Sequence, residues 1–211
     1  MRQTGTFGEN ARMTPLAEID LVLASTSRYR RELLSRLTSQ FRQESPQVDE
    51  TALPGEIPAQ LATRLAAAKA RAVALRNPNA LVIGSDQVAD CGGSVLGKPQ
   101  TMENARRQLQ ASSGASVVFH TALCLIDTRH APLREFATVD TTRVAFRSLD
   151  SYEIERYVER ERPFDCAGSF KSEGLGISLF KRIETIDPTA LVGLPLIALC
   201  DLLRQAGVTT I

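Results

Sequence analysis

The sequence predicts a mixed α/β fold around one sheet. Three observations carry it. Short apolar runs of strand character alternate along the chain with stretches of helical periodicity. Two strand segments, near 117–126 and 135–146, the second alternating, are joined by a short connection, which predicts an antiparallel pair. No repeat, low-complexity tract or long linker interrupts the pattern, and 211 residues with 43% hydrophobic content suffice for one packed core.

The first strand is the apolar run Leu21-Val22-Leu23-Ala24. Ser25-Thr26-Ser27 follows with hydroxyls suited to a helix N-cap. Tyr29, Leu33 and Leu37 then stand four apart on one helical face. A second helix runs from about 58 to 75, with Pro58 in its first turn and Leu61, Leu65, Ala68 and Ala72 on one stripe. Leu81 to Val88 reads as a strand, Cys91-Gly92-Gly93-Ser94 as a turn, and Thr101 as the cap of a polar helix through Leu109. Past the antiparallel pair, the spacing predicts a helix over 149–159, a strand over 177–183 and a terminal helix over 194–205 stopped by Gly207. Residues 1–18 read as a polar, poorly ordered extension, with Met13 a second candidate start, and 19–207 as one domain.

Charged residues make up 23% and balance to a net +1. Such a chain lacks the long-range basic field that polymeric nucleic acid selects, although a partner with a few phosphates needs only a local cation cluster. The four cysteines are far apart in sequence and the two histidines, His120 and His130, are isolated. Zinc-type spacing is therefore absent, and reduced thiols of an intracellular protein are expected. No apolar run nears the about 20 residues of a membrane helix, and the N-terminus lacks the apolar stretch of a secretory signal.

Four groups of residues carry chemistry. Ser25-Thr26-Ser27-Arg28-Tyr29-Arg30-Arg31 links a strand end to a helix start, where free N–H groups and arginines favour an anion. A capped, solvated basic helix fits the same residues. Asp49-Glu50 and Asp86 supply carboxylates of the kind that hold a hard divalent cation or take a proton from water. Asp49-Glu50 also fits a charged surface loop, whereas Asp86 ends a buried apolar run and must have partners or a function. Lys69, on the apolar stripe of its helix, and Lys98, in Leu96-Gly97-Lys98-Pro99, are point charges suited to phosphate or ordinary surface lysines. The glycine-rich run from Asp165 to Gly176 brings Lys171 and Glu173 into a loop suited to ligand contact or simple connection.

Taken in order, LVLASTSRYRRELL, VDE, LAAAKA, IGSDQV, LGKP, CAGSFKSEGLG and LVGLPLIAL resemble the Maf family of nucleoside triphosphate pyrophosphatases over residues 19 to 205. The resemblance implies an elongated central sheet with flanking helices, like that of inosine triphosphatases, and a cleft between two lobes. It implies a divalent cation (Mg2+, Mn2+ or Co2+), release of diphosphate, and a cytoplasmic protein that is often a homodimer, without membrane or polymeric nucleic-acid partners. By motif, Asp86 is the proton acceptor, Glu50 and Asp86 hold the metal, and Ser25, Arg30, Arg31, Lys69 and Lys98 bind the phosphates.

Branches of the family differ in base. Gln87, where the dTTP and UTP branch has threonine, and Glu173, where that branch has glutamine, resemble the 7-methyl-GTP branch. Tyr29 replaces that branch's usual tryptophan, Arg28 its proline, and Lys171 lies in the same loop as Glu173. Methylation at N7 makes guanine cationic, so an aromatic face at Tyr29 and a carboxylate at Glu173 suit it. The implied role is removal of modified nucleotides before their incorporation. The competing readings are a dTTP/UTP pyrophosphatase and a nucleotide-binding cell-division regulator without turnover.

Overall fold

A computed structural model describes residues 13–211. The strands are β1 (Thr14–Pro15), β2 (Leu21–Ala24), β3 (Arg42–Glu44), β4 (Leu81–Cys91), β5 (Ser94–Leu96), β6 (Ser116–Asp127), β7 (Arg134–Phe146), β8 (Phe180–Glu184) and β9 (Val208–Thr209). The helices are α1 (Arg28–Leu34), α2 (Pro58–Ala74), α3 (Met102–Ser112), α4 (Ser151–Glu161) and α5 (Leu196–Gln205).

Seven strands form one mixed sheet in the order β3-β2-β4-β6-β7-β8, with β5 folded against the end of β4. β2 is buried at every position and pairs in parallel with β3 and β4. β6 runs antiparallel to both β4 and β7, as the short connection predicts. This is the mixed α/β sheet expected, with helices packed on it.

Where the strands stop determines where the cleft opens. β2 pairs with β4 only as far as Leu23 opposite Ile83, and β5 rejoins that edge at Ala89. Among the described residues no strand pairs with Gly84 to Val88 on that side, so the polar part of β4 is left open at the carboxyl end of β2, where open α/β sheets bind ligands. Three apolar clusters surround this opening. One packs β2 and β4 against α1 and α5, a second packs α2 on the other face, and a third gathers Phe119, Phe146 and Phe170 beyond it with α3 and α4. Phe170 touches Phe119, Phe146 and Phe180 edge-to-face at 5.3, 5.6 and 4.8 Å between ring centres.

Three expectations need correction. Residues 1–12 of the expected extension lie outside the described residues, but 14–18 are built in: β1 pairs with β9, and Leu16 is buried in the first cluster. The strand expected over 177–183 begins only at Phe180, because Leu175–Leu179 form 3-10 turns. The chain is folded tightly there: a Cβ on Gly176 would lie 2.4 Å from the carbonyl oxygen of Lys171. The helix expected over 149–159 spans Ser151–Glu161 instead, because Asp150 and Glu153 form a reciprocal capping box that sets its start.

α2 and β4 approach each other closely at Gly84. A Cβ on Gly84 would lie 2.2 Å from the carbonyl oxygen of Ala66 and 2.7 Å from the amide of Ala70, both backbone atoms that cannot yield cheaply. We expect Gly84→Ala to push α2 off the sheet and destabilise the protein by about 1–3 kcal/mol or more, lowering Tm by roughly 2–12 °C for a chain of this size. A melting curve superimposable on wild type would contradict that packing.

Candidate active site

The free edge of β4 forms the floor of a cleft of about 930 Å³, a size that suits a nucleotide. Successive β4 residues point to opposite faces. Gly84 and Asp86 face α2, while Ser85 and Gln87 face the segment before α5.

On the α2 face, Lys69 and Asp86 are 5% and 7% exposed, and the Lys69 Nζ donates to Asp86 Oδ1 at 2.6 Å. The same ammonium reaches Glu50 Oε1 at 2.6 Å. Burying such a pair costs solvation that its attraction does not reliably return, which makes it a weak device for stability and a natural one for a functional site. Burial alone would raise the Glu50 carboxyl, but the Lys69 hydrogen bond, with the charges of Lys69, Lys98 and Arg30, holds it below its ordinary value. Glu50 is itself positioned from a distance. Arg64 donates to both Glu56 carboxylate oxygens at 2.6 and 2.7 Å and to the Thr51 carbonyl at 3.0 Å, clasping the loop that carries Glu50 onto α2.

The three arginines after Ser27 separate. Arg30 lines the cleft, with Nε donating to the Gly193 carbonyl at 2.8 Å and Nη1 to Ser25 Oγ at 3.4 Å. Burial lowers its pKa, against the opposing pull of Asp86 and Glu50. Arg28 is on the rim and Arg31 is exposed outside the cleft, so the expected phosphate role of Arg31 finds no support in its position. One helical turn cannot direct adjacent side chains to the same side. Lys98 lines the cleft from the loop after β5, exposed and without a hydrogen bond among the described residues.

Tyr29, Phe119 and Phe170 also line the cleft, with Asp165 and Glu173. Lys171 does not: its ammonium donates to the Glu161 carbonyl at 2.9 Å and pairs with that residue's carboxylate at 3.4 Å, tying the loop to α4. Its expected substrate contact is thus corrected to a loop anchor. Gln87 also has a prior engagement. Its amide nitrogen donates to Thr121 Oγ1 and to the carbonyls of Ala190 and Leu191 at 2.9–3.1 Å, leaving only its oxygen free for a ligand.

Those bonds reveal residues that motif reading missed. Ser85 and Arg30 both donate to Gly193, and Thr121 and Gln87 both donate to Ala190, so four side chains hold the segment 190–193 against the cleft. Asp187 completes the hold, accepting from the Thr189 and Ile197 amides at 2.9 and 2.6 Å. The Asp187-Pro188-Thr189 run ahead of an apolar helix is a start signal that could have disclosed it.

Among the described residues, no group of three or more His, Cys, Asp or Glu converges as a ready metal site. Glu50 and Asp86 nevertheless make a two-carboxylate, all-oxygen donor set, and Asp86 Oδ2 accepts no side-chain hydrogen bond within those residues. That set fits a cation such as Mg2+, which binds through one or two carboxylates plus substrate phosphates. The four cysteines are unpaired, and no described helix is long and apolar enough to cross a membrane.

The family model described as Maf-like protein matches residues 20–206. The chain is 60% identical over 187 residues to a 7-methyl-GTP pyrophosphatase of Xanthomonas oryzae pv. oryzae, covering 89% of this chain and 96% of the relative. It is 54% identical over 187 residues to a protein of the same name from Nitrosococcus oceani, covering 89% and 93%. Among solved structures it is similar to the Staphylococcus aureus Ham1 protein, with a TM-score of 0.43, 14% identity and coverage of 61% and 72%.

The Gln87 bonds carry a testable consequence. Gln87→Leu removes the amide's contacts to Thr121, Ala190 and Leu191 and takes from the Leu191 carbonyl its donor, worth about 1–3 kcal/mol. Amide hydrogen exchange at 190–193 should accelerate, while that of β2 and β6 stays unchanged. Unchanged exchange at 190–193 would show that Gln87 does not anchor the segment.

Proposed function

The chain belongs to the Maf family, and on that premise we propose that it hydrolyses 7-methyl-GTP between the α and β phosphates, giving 7-methyl-GMP and diphosphate. The observation that carries the reading is the Glu50–Lys69–Asp86 cluster on the cleft floor. Cations suited to a triphosphate and aromatic and acidic residues suited to a cationic base line the same cleft. The names of the relatives support the same substrate.

The chemistry follows from these positions. Arg30 and Lys98 hold the phosphates as charged donors, Arg30 from a half-buried position fixed by the Gly193 carbonyl and Lys98 from an exposed one. Ser25 lends a hydroxyl at the end of β2. Water adds to the α phosphorus, the bridging P–O bond to the β phosphate breaks, and the proton of the water passes to Asp86. Lys69 orients both carboxylates. Glu50 and Asp86 would hold a divalent cation, which supplies neutralisation of the phosphate charge. Gln87 shapes the base end by fixing 190–193, and Glu173, which has no ion-pair partner among the described residues, faces the base.

A turnover panel of 7-methyl-GTP, GTP, UTP, dTTP and CTP, with products identified, tests the reading. We expect the highest kcat/KM for 7-methyl-GTP, with monophosphate and diphosphate formed in equal amounts. A preference for UTP or dTTP would transfer the protein to that branch. Binding without turnover in Mg2+, Mn2+ and Co2+ would make it a nucleotide-binding protein.

Lys98→Ala separates phosphate from base. Because Lys98 makes no hydrogen bond or ion pair among the described residues, its loss should lower kcat/KM about tenfold, the cost of one charge-assisted hydrogen bond, equally for every base. A changed substrate ranking would refute the phosphate assignment.

A further inference from the structure

Beside Asp165 in the cleft, the protein already holds a planar cation. The guanidinium of Arg28 lies over the ring of Tyr29, 4.7 Å from its centre. It donates to the Tyr29 hydroxyl at 2.7 Å and pairs with Asp165 at 3.5 Å. The Tyr29 hydroxyl in turn faces Asp165 Oδ2 at 3.2 Å, and the Cys166 thiol reaches both within 3.5 Å. Asp165 is fixed from behind: Arg162 ends α4 in a left-handed conformation, and the Phe164 carbonyl accepts from the Gln100 amide.

An aromatic face with a carboxylate at its edge is the environment that a delocalised cation seeks. Guanidinium and N7-methylated guanine are both flat, delocalised cations. We propose that Tyr29 and Asp165 form the seat of the cationic base, that Arg28 occupies this seat in the free protein, and that Asp165 is a specificity-determining residue alongside Glu173. The inference rests on the 7-methyl-GTP reading for the identity of the base. A cationic base that displaces Arg28 restores both the stacking and the ion pair. A neutral base restores only stacking and leaves Asp165 without its partner. Arg28 therefore acts as an internal competitor that lowers the affinity for every base alike, and Asp165 supplies the preference for a charged one. Arg28 and Asp165 keep 63% and 52% of their side-chain surface exposed, so displacement is cheap and no backbone need move.

The test uses binding without turnover: calorimetric titration of 7-methyl-GMP and GMP into wild type, Asp165→Asn and Arg28→Ala. Wild type should favour 7-methyl-GMP. Asp165→Asn should weaken 7-methyl-GMP about two- to fivefold, the range for a solvent-exposed charge pair, and reduce its preference over GMP. Arg28→Ala should tighten 7-methyl-GMP by a similar factor, because the competitor is gone and Asp165 is free. Both positions are exposed, and matching melting curves confirm that each variant folds. A preference ratio unchanged in Asp165→Asn, or equal weakening of both ligands in Arg28→Ala, would overturn the proposal, the latter marking Arg28 as a phosphate ligand. Equal affinity of wild type for the two ligands would also overturn it. Turnover of 7-methyl-GTP is scored separately: if it is absent while the binding preference responds to Asp165, the seat stands and the hydrolytic reading falls.

Discussion

Lys69 can touch two carboxylates only because α2 lies directly on β4 at Gly84. The missing side chain lets helix backbone meet strand backbone, and residue 69, one turn along from Ala66, then reaches residue 86, two along from Gly84 on the same face. Every polar feature of the cleft floor depends on that approach. Around it, apolar packing of Ala62, Leu65, Ala66 and Ala70 against Val82 and Val88 excludes water and makes the ion pair a buried one. A charge in such a place is tolerated only while its partner remains, since removing one member of a buried pair costs about 3–5 kcal/mol.

From that fixed point the cleft gathers two groups. Arg30, Lys69 and Lys98 surround Glu50 and Asp86, and Tyr29 and Arg28 meet Asp165 in the same cleft that Glu173 lines. A molecule with a polyanionic tail and a cationic ring suits both groups, and a neutral base suits only the first. The segment 190–193 is held by Ser85, Gln87, Thr121 and Arg30, so the residues that line the floor on one face of β4 brace the wall on the other.

Much of this was legible in the sequence. The short connection identified β6 and β7 as a pair, and the polar residue ending an apolar run singled out Asp86. Lys69 on an apolar stripe fitted both snorkelling and function, and only the register of α2 on β4 separates them. Other features depend on tertiary contacts that have no local signature. Arg31 and Lys171 match phosphate-binding residue types yet point elsewhere, because helix phase directs one outward and Glu161 holds the other. Gln87 stands in a motif that suggests a base contact, but its amide spans the sheet to carbonyls more than a hundred residues away. The Arg28–Tyr29–Asp165 contact joins residues 136 or more apart, so neither motif alone implied it. Leu16 and β1 read as polar extension because a two-residue strand is too short for periodicity to register.

The central claim is that Asp86, oriented by Lys69, takes the proton of the attacking water. The most direct test is kcat of Asp86→Asn with 7-methyl-GTP, measured in a variant whose melting curve shows a folded protein. Asparagine keeps the shape and a hydrogen-bonding oxygen but cannot accept the proton. The account predicts a fall in kcat of about a hundredfold or more, with a much smaller change in KM. A folded Asp86→Asn protein that retains near-wild-type kcat would contradict it.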